Sequence, residues 1–295
     1  MEKTGIITQS RIMTFRLLLL TSLFAAGCAD LQAVRTFAKT SAATADYRQI
    51  VTDYVESPTR QKRYHPDNCA TRLARTTAQR AGQKKLLEGS QRVLAGYLSA
   101  LGDLAADKLP DVDPEMDGLA HALEKAGFAG EGDAAIRKET AGAAGRIAKV
   151  ITRAALDHWR QDRVQEIVRE ADGNVQTVVA GLREIVLKDF SASLDSEAEA
   201  VRKYFESSIA AAKSRNDREA VPPLARILML EHLDRIGERR DRLSPYAEVL
   251  EKIGTGHADL LANIDKLDDT ALQARLEKFA ADMRILCKAI KEIGT

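Results

Sequence analysis

The 295-residue chain carries 44 Lys and Arg against 43 Asp and Glu. That balance gives no electrostatic drive toward nucleic acid or an anionic lipid surface. Aromatic residues make up 5% of the chain, and no run of alternating β-branched residues occurs, which points to long helices rather than sheet.

The first distinctive stretch is MTFRLLLLTSLFAAGCADLQ, residues 13–32. Its apolar core, Leu17 to Ala26, would span about 15 Å as a helix, half of a hydrocarbon layer of about 30 Å. Arg16 precedes it and small residues follow it, the layout of a secretory signal peptide. A buried amphipathic helix would need a polar face, and Leu17 to Leu20 offers none. Ala25-Ala26-Gly27-Cys28 resembles the lipobox of bacterial lipoproteins, with Ala25 where that family most often has Leu. The resemblance covers residues 13–29. It implies that residues 1–27 are removed, that Cys28 is acylated into the bilayer and that residues 28–295 form the mature body. Ala29 after the cysteine implies the outer membrane, with the body facing the periplasm. Met13 is the expected start, residues 1–12 being an upstream extension.

Helix one is expected over 30–57, with an apolar stripe through Leu31, Val34, Phe37, Ala38, Val51 and Val55. It ends before Pro58. Almost no linker separates it from Cys28, so the body should sit close to the membrane. A polar loop follows, and Asn68 is a suitable N-cap for a second helix over 68–108. The second half of that helix is well patterned (Leu87, Leu94, Leu98, Leu101), whereas its first half is polar. Asp113-Pro114 opens a short helix over 114–127.

The third long element covers 133–213. Val164, Val168, Ala171, Val175, Val178, Leu182 and Ile185 keep a helical frame through Gly173-Asn174, so one helix is expected there. The alternative is a corner at Gly173. A fourth helix, 223–267, should kink at Ser244-Pro245 and weaken at "GTGH", 254–257. Asp269 caps the last, 269–293, whose heptad runs Leu272, Leu276, Phe279, Met283, Leu286, Ile290 and Ile293. The expected fold is all-α: an elongated antiparallel helical bundle with long, coiled-coil-like helices and a seam-like core.

Motifs for chemistry are scarce. His65, His121, His158, His232 and His257 form no pair at helical spacing, so no helix presents a two-histidine metal site; solvated or capping roles are expected. "AGAAGR", 141–146, lacks the ending of a phosphate loop and reads as a small-residue packing face. Trp159 reads as packing at the bundle edge. The most apolar internal window, "LARILMLEHL" at 224–233, reads as a buried helix start. No catalytic residue, metal site or cofactor is expected. Once Cys28 carries lipid, Cys69 and Cys287 are the two cysteines left, and in an oxidising compartment they are expected to pair.

The function expected is that of a membrane-tethered periplasmic scaffold. It would be held by acylated Cys28 in the lipid bilayer and bind an envelope protein, not nucleic acid. The alternatives are a membrane-active protein, similar in outline to helical pore-forming toxins, and an enzyme with an unrecognised site.

Overall fold

The computed structural model describes residues 31–65, 70–125, 134–215 and 221–293. Ten α-helices and no strand occur among them: α1 (Gln32–Ala45), α2 (Arg48–Lys62), α3 (Ala70–Ala105), α4 (Met116–Lys125), α5 (Ala134–Leu156), α6 (Val164–Glu184), α7 (Ser191–Ser214), α8 (Val221–Asp241), α9 (Leu243–Ala262) and α10 (Thr270–Glu292). The fold is an all-α bundle.

The helices stack in two tiers that share one continuous apolar core. In the lower tier, α1, α4, α5, α6, α9 and α10 assemble around the C-terminal half of α3. That half is a central helix buried on several sides: Val93, Leu94, Tyr97, Leu98, Leu101 and Leu104 are all fully enclosed. The upper tier joins α2 and the polar first half of α3 to α7 and α8. The chain rises into it twice. The first rise is α1 into α2, and the second is α6 into α7.

The second rise is an unbroken helical path from Val164 to Ser214, about 75 Å at 1.5 Å per residue. Gly173 lies inside it, as the apolar frame indicates, with open space where a Cβ would be. Ile185–Phe190 is a π-helical turn. Val178, Leu182, Val186, Phe190, Leu194 and Ala198 are all buried and spaced by four. In a plain α-helix each such step turns the face by about 40°, so five would carry it far round the axis. The wider π turn absorbs part of that drift and keeps the row on the core.

The expected helix over 133–213 breaks earlier, at 157–163. His158 takes a left-handed conformation, φ 53°. Trp159 N donates to Ala154 O at 2.9 Å and His158 N to Ala155 O at 3.2 Å. These are the two bonds of a Schellman cap, which close the end of α5. Trp159 folds inward and is buried, with the Arg153 guanidinium 5.0 Å from its ring centre. Asp107, φ 53°, closes α3 with the same bond pair, Lys108 N to Asp103 O and Asp107 N to Leu104 O. The two corners touch, since Arg160 Nη1 donates to Asp107 O at 3.1 Å.

Helix one, expected over 30–57, is two helices. They divide at Asp46-Tyr47, where Tyr246 Oη donates to Ala45 O at 2.9 Å. The second continues through Pro58 to Lys62. Proline removes the N–H that would bond Tyr54 O, and Arg80 Nη1 supplies the missing donor at 3.0 Å. The expected helix 223–267 divides at Arg242. Pro245 then falls in the first turn of α9, where a missing N–H costs little. "GTGH" is no weak point but a site of close packing, with Gly256 against Phe37 and Gly254 against Val179 and Gln176. Asp269 caps α10 by accepting from Leu272 N at 2.9 Å.

Candidate interaction surface

Residues 28 and 69 lie outside the described residues, as does the whole signal-peptide stretch. Cys287 is half-buried and its thiol is free, so the disulfide expected from sequence is not seen. Cys287 lines a depression with Lys39, Thr40 and Thr44 in the lower tier. Next along the chain from α1, Tyr47 O accepts from Gln91 of α3. Ala70, where α3 begins, lies roughly 30 Å farther up that helix.

Sequence reasoning misjudged one histidine. His257 is completely enclosed. Its Nε2 is 2.6 Å from Tyr97 Oη and its Nδ1 is 2.7 Å from Asp172 Oδ1. Gln176 Nε2 donates to the same carboxylate oxygen at 3.1 Å and to Gly254 O at 2.9 Å. The hydrogen bond from His257 holds the Asp172 carboxyl below the usual carboxylate range, against the opposing effect of burial. Burial, reinforced by Asp172, pushes the Tyr97 phenol well up. The order resembles an acid–base relay, but Tyr97 and His257 have no exposed surface and no reacting atom can reach them. The array ties α3, α6 and α9 together with every ring nitrogen satisfied. Its sequence signal is weak, because the three residues are 75 or more positions apart.

A second polar centre holds the upper tier. Glu197 of α7 is 3% exposed and accepts from Arg60 Nε at 2.9 Å, Arg239 Nη1 at 3.1 Å and Ser57 Oγ at 3.2 Å. Burial and the neighbouring Arg60 charge pull Arg239 below its ordinary value. Asp53 beside this centre is raised, chiefly by burial. A groove of about 600 Å³ opens next to it, lined by Gln61, Thr76, Arg80, Ser193, Glu199 and Lys203 among others. Its charges are mixed in sign, so it favours neither anions nor cations. Among the described residues, no group of three or more His, Cys, Asp or Glu could hold a metal ion.

The strongest surface feature is on α8. Pro222 and Pro223 sit in its first turn, where proline is tolerated. Pro222, Ala225 and Ile236 face inward, with Met229 and Leu233 partly packed on the core. The His232 ring stacks on Phe205 at 5.8 Å. The other side is apolar and open: Leu224 is 59% exposed, Ile227 62% and Leu230 55%, with Val221 and Leu228 beside them. The expectation of a buried helix start for 224–233 is therefore corrected. The window is apolar on both sides, and the bundle covers one. Lower down, α8 is fastened by Arg239 to Glu197 and by Arg240 to Asp195.

The position of this face is set by the topology. Mid-helix Lys39 of α1 bonds Asp103 near the end of α3, so Leu31, eight residues before Lys39, lies about 12 Å farther down, at the foot of the bundle. Val221 begins α8 beside the end of α7, in the upper tier. The apolar face and the start of the described chain are at opposite ends of the bundle. Among the described residues, no helix is long and apolar enough to cross a membrane.

No family model matches this chain, and neither a curated protein nor a solved structure does so.

Proposed function

We propose that the chain is a membrane-tethered helical scaffold of the bacterial envelope. Acylated Cys28 would hold it in the bilayer, and its body would stand into the periplasm. The observation that carries this reading is the separation of two sticky features. Residue 31 follows the proposed anchor by three positions and lies at the foot of the bundle. The exposed apolar face of α8 lies at the head, where a contiguous Leu/Ile patch on a soluble surface marks a binding site. A tether at one end and a docking face at the other is how a protein holds something at a fixed distance from a membrane.

The test is membrane fractionation of Cys28→Ser. The expected outcome is loss of acylation and release of the body into the soluble periplasmic fraction. Retention in membranes after a high-salt wash overturns the tether.

A further inference from the structure

We propose that the α8 face takes a second copy of this chain, with the two α8 helices side by side and parallel. The proposal builds on the tether reading, since two copies anchored in one leaflet stand with their heads at the same height and their α8 helices in the same direction. The side chain diametrically opposite the buried side of α8 is Ile227. Leu224 and Leu230 flank it, and all three are exposed. With Ile227 as a heptad a position, Leu230 is d, Arg226 is the preceding g and Glu231 the following e. In a parallel two-stranded coil, g of one helix meets e of the next heptad on its partner, five residues on. Arg226 would then face Glu231 of the second copy, and the two-fold would supply that pair twice.

Charge makes the partner specific. Arg226 is exposed and forms no ion pair with any described residue, whereas Glu231 is held by Arg235 one turn later. Among the described residues no carboxylate pairs with Arg226, and an identical parallel helix would bring one to it. An antiparallel copy would put g against g, which sets Arg226 near Leu233 of the second copy and away from Glu231. The next a position is Asp234, exposed, and two of them facing each other limit the contact to the first three turns of α8. So short a contact is weak between free molecules. Two-dimensional confinement raises the effective concentration enough to populate it.

The experiment uses the full lipidated chain with Cys69→Ser and Cys287→Ser, in phosphatidylethanolamine–phosphatidylglycerol vesicles. Single cysteines are placed at Ile227, Leu230 or, as a collision control, Ile285, which is 68% exposed on α10. After copper-phenanthroline oxidation, Ile227→Cys and Leu230→Cys should each give a self-linked dimer well above the Ile285→Cys level. Arg226→Glu should reduce that dimer to the control level, and Arg226→Glu with Glu231→Arg should restore it. Yields equal to the control at both positions overturn the proposal. So does a dimer that forms only in a mixture of the two single-cysteine chains, which would mean antiparallel pairing. Vesicle flotation reports the anchor separately. If the chain does not float, the tether reading fails, and the same cysteines oxidised in concentrated solution then decide the pairing.

Discussion

Gly173 and Gly256 are both helical glycines, and their surroundings give them opposite values. A Cβ at Gly173 meets nothing within 4 Å. Alanine there removes the conformational freedom of glycine in the unfolded chain and favours the helix by about 1 kcal/mol. A Cβ at Gly256 would overlap the edge of the Phe37 ring, and Phe37 is fully enclosed, so it has nowhere to move. Overpacking of that kind costs about 1–3 kcal/mol. Chemical denaturation should therefore show Gly173→Ala more stable than the parent and Gly256→Ala less stable. A loss of stability in Gly173→Ala would place a corner at residue 173 after all.

At the scale of elements, α2 shows how a proline is carried inside a helix. Pro58 leaves Tyr54 O without its backbone donor, and Arg80, on another helix, replaces it while also bonding Ser193 Oγ at 2.8 Å. Its guanidinium lies 4.3 Å from the Tyr54 ring centre. Arg80→Ala should destabilise by about 1–3 kcal/mol, because a buried carbonyl loses its partner. Pro58→Ala returns the N–H to α2, so it should recover more stability in the Arg80→Ala background than it adds to the parent. Equal effects in both backgrounds would sever the proposed link between the two residues. This compensation also explains what sequence reading could and could not see. The seam of α10 and its Asp269 cap were legible because both are local. The frame through Gly173 was legible because spacing survives a poor helix former. Pro58 was misread as a stop because its remedy lies 22 positions away. The corner at 157–163 was missed because its left-handed residue is His158 rather than glycine. The π turn did leave a trace, the row of four-residue steps from Val178 to Ala198. The α8 face was legible as apolar, but which side the bundle would cover depends on α7, whose Phe205 meets His232.

For the whole molecule, the two tiers are unequal in what holds them. α9 buries ten residues, including Tyr246, Val249, Leu250, Ile253 and Leu260, whereas α8 buries three, Pro222, Ala225 and Ile236. Opening α8 gives up the Arg239–Glu197 and Arg240–Asp195 pairs but little apolar burial, and burial is the dominant stabilising term at about 25 cal/mol per Å². The central half of α3 and the array of enclosed Tyr97 and His257 with Asp172 have no such inexpensive exit. Local opening free energies in a folded protein follow this gradient. In the Arg226→Glu variant, where a second copy would not shield α8, peptides from Val221–Asp241 should exchange amide hydrogens at least about tenfold faster than those from Leu243–Ala262, a gap of about 1.4 kcal/mol or more in opening free energy. Coincident exchange of the two peptides would mean that the tiers open only together. A head that loosens before its base keeps the docking face adaptable while the end beside the proposed anchor stays folded.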